Sequence, residues 1–322
     1  MLLAARQPGG PSRRRGCTAL CASADLHTWE VRAPFWAPRL YFTHECPDLF
    51  RLGDWWYLLF SEFSEANLTR YRMSRSLAGP WLTPPDDAFD GRAFYAAKTA
   101  SDGAHRYLFG WCASREGERD DGRWQWGGNL VVHELTARAD GTLAVRPPEG
   151  VVAAFHQPVE LAPEQKPALG EPCDHAICLT APGSFVCEPV GPQPTCGKLT
   201  VTVHAQEHTR GCGLALCLSD DLEKGYYIRV EPQQQRLVFD LWPRPGDRPF
   251  VTGIERPLAV TPGEPLTLTV LLDGSVCVVY AGGQVALCAR LYDLQQANAR
   301  RWGVFVQQGA AEFDALGAWT LG

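Results

Sequence analysis

The sequence predicts an all-β protein, with propeller-type blades in front and a β-sandwich behind, and three observations carry that prediction. Short apolar or alternating runs recur along the chain with Gly, Pro, Asp and Asn between them, the pattern of strands separated by turns. Sustained helical periodicity is absent, and only ARLYDLQQANAR (289–300) suggests a short helix. The front half also repeats one unit: a strand, a Gly or Asp turn, then a second aromatic strand. It occurs in DLFRLGDWWYLLFSEF and again in AFYAAKTASDGAHRYLFGW. A strand-turn-strand repeat at about 45 residues is the mark of propeller blades.

In chain order, the front strands are MLLAARQ, GCTALCAS, WEVRA, PDLFRL, DWWYLLFSEF, LTRYRMS, AFYAAKTA, RYLFGWCAS and GNLVVHELT. They place a partial propeller of about three blades over residues 1–152. Residues 153–172, rich in Pro, Ala and Glu, read as a connector. Over 173–322 come SFVCEPV, KLTVTVHA, GLALCLS, GYYIRVEP, RLVFDLW, LTLTVLL, SVCVVYA, QVALCARLY and WGVFVQQ. About nine strands of this kind fit a sandwich, with Gly282-Gly283 as a hairpin turn. A closed propeller needs at least about four blades, so the sequence reads as a longer protein without its front.

Composition narrows the function. At 45% hydrophobic and 20% charged, the 322 residues suit a soluble globular chain. A net charge of −6 gives no reason to expect nucleic acid. Arg13–Arg15 is a short basic run and reads as a solvated turn. No apolar stretch is long enough for a membrane, and MLLAA is too short for a secretory core. The twelve cysteines form no CxxC pair and no Cys/His cluster of metal-ligand spacing. Together these point to a cytoplasmic protein with reduced thiols and no cofactor or metal. No phosphate cradle or Ser-His-Asp signature occurs.

One stretch stands out. YFTHECPDLF (41–50) sets a carboxylate, Glu45, inside an apolar and aromatic strand. GCTALCASADLHTWE followed by THECPDLF, then FDGRAFYAAKTASDGAHRYLFGW and LLDGSVCVVYAGGQVALCARLYD, resembles glycoside hydrolase family 32. That family holds the β-fructofuranosidases, invertases and fructan hydrolases. The resemblance runs from about residue 16 to the end. It implies a five-bladed propeller with a C-terminal sandwich, and a small carbohydrate substrate: sucrose, a fructo-oligosaccharide or fructan. It also implies a retaining mechanism with two carboxylates.

The resemblance makes Glu45 the general acid/base. Enclosure by Tyr41, Phe42, Trp55 and Trp56 is expected to strip its hydration and favour the protonated form. Cys46 matches the cysteine beside the family's acid. His44, Trp55, Arg92, Tyr95 and Trp111 are the other candidates for substrate contact. Each has a plain alternative: His44 as a structural histidine, Arg92 paired with Asp90, Trp111 in the core. Trp55 and Trp56 alternate faces, so at most one reaches a pocket. WQWGG (124–128) reads as a loop at a pocket rim, and His204 and His208 as surface residues without partners. The family's nucleophile lies in an N-D-P segment and its transition-state stabiliser in an R-D-P segment; neither occurs in this sequence. PPDD (84–87) reads as turn chemistry. Asp48, three residues beyond Glu45 in an extended strand, should face the opposite side.

Overall fold

The strand-and-turn pattern folds as a nearly all-β chain. The computed structural model describes residues 1–161, 177–244, 254–292 and 300–322. The helix expected near 289–300 falls largely outside them, as do residues 162–172 of the expected connector. Among the described residues no helix is long and apolar enough to cross a membrane. Ten cysteines among the described residues are free thiols. Cys178, by contrast, is disulfide-bonded, which departs from the expectation of wholly reduced thiols.

Three small antiparallel sheets make up the propeller part. The first holds β1 (Leu2–Arg6), β2 (Gly16–Ala22) and β3 (Glu30–Val31). The second holds β4 (Glu45–Leu52), β5 (Trp55–Glu62) and β6 (Leu68–Ser74). The third holds β7 (Phe94–Ser101), β8 (Arg106–Arg115), β9 (Trp124–Ala137) and β10 (Leu143–Arg146). WQWGG therefore begins β9 rather than forming a loop. Each sheet is a meander whose neighbours in sequence are neighbours in space, as in a propeller blade. The middle strand of the second sheet is the most enclosed: Tyr57, Leu58, Leu59 and Phe60 have no exposed surface.

By contacts the chain divides into two units. One comprises Met1–Cys112 and Leu130–Val145, the other Ala113–Asn129 and Arg146–Gly322. In the first, Gly141 closes a turn at φ +88°, and a Cβ there would lie 2.2 Å from the Trp55 indole nitrogen. The Tyr57 hydroxyl donates to the Gly141 carbonyl at 2.7 Å.

Beyond Arg146 the second unit continues with α1 (Glu149–Ala154) and β11 (Phe155–Pro158), so part of the stretch read as connector is structured. Its strands continue as β12 (Ile177–Pro192), β13 (Cys196–Ala205), β14 (Gly211–Leu218), β15 (Gly225–Glu231), β16 (Arg236–Trp242) and β17 (Ile254–Pro257). β18 (Leu266–Asp273), β19 (Val276–Ala281), β20 (Val285–Arg290) and the long β21 (Arg301–Leu321) complete it. β21 pairs with β14 over its first part and with β13 over its last, so one strand serves both halves of the sandwich. The changeover falls at Gln308, which is left-handed at φ +52°, and at Gly309, where a Cβ would lie 2.5 Å from the Thr209 backbone. β13 buries every second residue, while β19 and β20 are buried on both faces. Gly282 and Gly283, both at positive φ, make the tight β19–β20 turn as expected.

Candidate active site

The site grows from an irregularity in β4. Glu45 pairs with Ser61 but Asp48 pairs with Leu59, so β4 carries one extra residue between them. Cys46 takes up the excess in a left-handed conformation, φ +47°. β7 repeats the device: Tyr95 pairs with Trp111, Lys98 with Phe109, and Ala96 sits at φ +56°. Left-handed backbone at a residue with a Cβ is costly, and bulges of this kind re-aim side chains.

The two bulged strands hold one another through side chains. The Tyr95 hydroxyl donates to Glu45 Oε2 at 2.9 Å. Lys98 Nζ donates to the Pro47 carbonyl at 2.8 Å. Thr99 donates to Asp48 Oδ2 from its backbone N–H at 2.8 Å and from its hydroxyl at 2.6 Å. The Trp111 ring lies 5.4 Å from that of Tyr95. Burial, and then the Glu45 carboxylate, push the Tyr95 phenol far above its ordinary range, so it remains a hydrogen-bond donor. Burial likewise raises the Cys46 thiol, against the pull of Lys98. Among the described residues Glu45 Oε1 receives no hydrogen bond.

Glu45, Cys46, Tyr95 and Trp111 thus come together, and the other candidates stand elsewhere. His44 is fully buried. Its Nδ1 lies 3.5 Å from the Thr18 hydroxyl and its Nε2 3.2 Å from the Leu40 carbonyl. Both ring nitrogens are occupied, so it is a structural histidine. Trp55 pairs with Leu52 at the hairpin end of β5, six residues from the partner of Glu45. At about 3.4 Å per residue that is about 20 Å away. Trp56 is one residue nearer. Neither encloses Glu45; Trp55 instead packs on Arg75 and Gly141.

Arg92 is exposed, and Asp90, its expected ion-pair partner, is buried against His133 Nε2 at 3.0 Å. Asp48 is also corrected. The bulge puts it on the same face as Glu45, because their partners Ser61 and Leu59 are two residues apart. Thr99 nevertheless ties it into the structure. His204 has a partner after all, Asp314 at 2.8 Å.

A charged network beside this strand was not read from the sequence. Glu62, with no exposed side-chain surface, accepts from Arg70 Nε at 3.1 Å and from the backbone N–H groups of Glu65 and Ala66. Asp87, from PPDD, bridges Arg70 and Arg72. Arg72 is 2% exposed, reaches the Tyr41 hydroxyl at 3.2 Å and packs over Phe60 and Trp36. The signal was available: arginines at alternate positions of LTRYRMS share one face of a strand whose neighbours are apolar, and buried arginine requires an acid.

Known proteins resemble this chain in sequence and in fold. Residues 3–147 match the glycosyl hydrolases family 32 N-terminal domain. Over 347 aligned positions the chain is 25% identical to sucrose-6-phosphate hydrolase of Escherichia coli, covering 100% of this chain and 64% of that one. Over 299 positions it is 26% identical to raffinose invertase of Escherichia coli, covering 86% and 55%. The chain therefore spans about two thirds and about half of these relatives' lengths. Its fold is similar to fructan 1-exohydrolase IIa from Cichorium intybus in complex with 1-kestose. There the TM-score is 0.69 at 18% identity, over 99% of this chain and 68% of that one. The matching family model spans both bulged strands and the Glu45–Tyr95 pair, and the likeness of fold continues through the sandwich: residues 3–147 match the N-terminal domain of glycosyl hydrolases family 32, and the chain as a whole shares the fold of the solved relative.

Proposed function

We propose that this chain carries the acid/base part of a retaining β-fructofuranosidase site, acting on terminal fructosyl bonds of sucrose, fructo-oligosaccharides or fructan. The observation that carries the reading is the Tyr95–Glu45 hydrogen bond on two bulged strands. Tyr95 engages one carboxylate oxygen and leaves Oε1 to deliver a proton to the departing glycosidic oxygen. The same oxygen then accepts a proton from the attacking water. Trp111, packed on Tyr95, supplies an apolar wall for a sugar ring. The names of the relatives, one for sucrose-6-phosphate and one for raffinose, support a small carbohydrate substrate.

A second reading, a carbohydrate-binding protein without turnover, is favoured by one observation. No N-D-P or R-D-P segment occurs in the 322 residues. Nearby acids are committed as well, Asp48 to Thr99 and Glu62 and Asp87 to arginines. A general acid without its nucleophile loses several orders of magnitude in rate, on the order of 10³ or more.

Fructose release from sucrose and 1-kestose, measured with and without added formate as an external nucleophile, separates the readings. Slow release that rises with formate, and falls by about 100-fold or more in Glu45→Gln, supports the catalytic reading. Release untouched by Glu45→Gln would remove Glu45 from the mechanism. Sugar binding with no release under either condition would favour the second reading.

A further inference from the structure

The second unit carries a groove of about 770 Å³ on one face of its sheet. The groove crosses five neighbouring strands, β12, β21, β14, β15 and β16. β14 makes the depression. Opposite Gln307, Phe305 and Tyr227 it offers only Gly211, Gly213 and Ala215. A Cβ at Gly213 would lie 2.1 Å from the Ile228 carbonyl oxygen. The Phe305 and Tyr227 rings therefore meet across β14, 5.1 Å apart, and Phe185 stacks on Phe305 at 5.8 Å. On the outer two of the five strands an aromatic face stands open: Phe185 on β12 is 48% exposed and Trp242 on β16 is 60% exposed.

Between them lies Tyr227, 7% exposed, whose hydroxyl has no hydrogen-bond partner among the described residues. Burial first, and Cys187 second, push its phenol up to about 12, so it stays a donor. That hydroxyl would lie 3.6 Å from a Cβ at Gly225, the cross-strand partner of Trp242, which sets the donor beside the indole. A buried donor with no partner, aimed into a groove, is suited to a ligand acceptor. The lining also holds four cationic side chains, Arg210, Lys224, Arg229 and Arg244, against two acids, Glu223 and Asp240, in a chain of net charge −6. Asp240 is committed to Arg244, and Arg229 to Glu231 at 3.1 Å. Among the described residues no acid pairs with Arg210 or Lys224. The ligand is therefore anionic. It is also ring-bearing rather than peptidic. β21, β14, β15 and β16 are paired on both sides, so a peptide main chain finds no backbone partner here. Open aromatic faces with polar groups between them suit the C–H faces and hydroxyls of sugar rings.

We propose that this groove binds an acidic oligosaccharide, a chain of uronate sugars: Trp242 and Phe185 pack on its rings, Tyr227 donates to a ring oxygen, and Arg210 and Lys224 hold its carboxylates. The proposal depends neither on Glu45 nor on turnover, and its test reads binding. Titration calorimetry of the whole chain at low ionic strength would compare oligogalacturonate, an inulin oligosaccharide of the same length, and poly-glutamate. The expected result is oligogalacturonate binding at least about tenfold tighter than either other probe. Raised salt should weaken it. Trp242→Ala, at an exposed position, should cost about tenfold or more, and Tyr227→Phe, which keeps the ring, about fivefold. Arg210→Ala/Lys224→Ala should bring the affinity down to that of the neutral chain. Equal binding of the neutral chain would overturn the proposal by removing the role of charge. Equal binding of poly-glutamate would overturn it by removing the role of the rings. Binding that survives Trp242→Ala and the double alanine variant unchanged would place the ligand elsewhere and overturn it too.

Discussion

At the scale of single residues, His44 shows how a neighbour of the acid serves the fold. Burial first, and Arg72 second, depress its imidazole from 6.5 to about 4, against the raising effect of the Leu40 carbonyl. The unfolded chain therefore binds a proton between those values where the folded one does not. Stability is intact above about pH 6.5 and falls as pH drops toward 4. At pH 5 the loss from this residue is about 2 kcal/mol, because a tenfold difference in proton affinity between folded and unfolded chain is worth about 1.4 kcal/mol. Urea unfolding at pH 7 and pH 5 should show that loss in the wild type and a smaller pH difference in His44→Gln. An equal difference in both would remove His44 from the account. Residue identity was legible where chemistry and sequence neighbourhood coincide: Glu45, Tyr95 and Trp111 were all singled out, and all three meet. Trp55 was misplaced because its distance from Glu45 depends on hairpin register, which the strand's own residues do not encode. Asp48 was misjudged because nothing in ECPD announces a bulge at Cys46.

At the scale of elements, the alternating runs gave most strands to within a few residues, since period-two burial is written directly into the chain. The misses have physical causes. WQWGG was read as a loop from its glycines, yet β9 extends through it because its backbone pairs in the third sheet. PPDD was read as a turn, and it does bend at Pro85 and Asp86; what that reading left out is that the same segment delivers Asp87 to two arginines. Removing that acid leaves Arg72 buried without its counter-charge, a situation that costs about 3–5 kcal/mol. Asp87→Ala should lower the urea midpoint accordingly, while an exposed control such as Asp54→Ala should not. Arg72 Nε already has no partner among the described residues, so the network has no spare acceptor to absorb the change. The Glu62–Arg70–Asp87–Arg72 chain also braces β6 against the turn after β5, behind the strand that starts at Glu45.

At the scale of the whole molecule, the order of a blade part and a sandwich part was legible from the repeat and the strand spacing. The contact-based division was not, since it runs through the β8–β9 hairpin and assigns Ala113–Asn129 to the second unit. Side chains explain the assignment. Arg290, 5% exposed, donates from Nε to the Ala113 carbonyl at 3.0 Å and from Nη2 to Asn129 Oδ1 at 2.8 Å. The Tyr226 hydroxyl donates to Asp120 at 2.6 Å, and the Tyr292 hydroxyl accepts the Arg115 N–H at 2.7 Å. Such long-range pairings, more than 100 residues apart in sequence, leave no periodic trace. A fragment of residues 146–322 would lose all of these partners and leave Arg290 under-satisfied. Its thermal midpoint should fall below that of the same unit in the intact chain, followed by hydrogen exchange in β13 and β18. A fragment as stable as the intact unit would mean the hairpin contributes nothing.

The paired bulges at Cys46 and Ala96 carry one more consequence. In a pleated strand the side to which a group points is set by whether an even or odd number of residues separates it from a fixed neighbour. Each bulge changes that count by one. The meeting of Glu45 with Tyr95 is therefore an arithmetic property of the chain as much as a chemical one. A single-codon deletion at either bulge would conserve Glu45 and Tyr95 themselves and yet turn one member of the pair toward the wrong face. In this blade, reading-frame-preserving indels should be more damaging than most substitutions at the same positions.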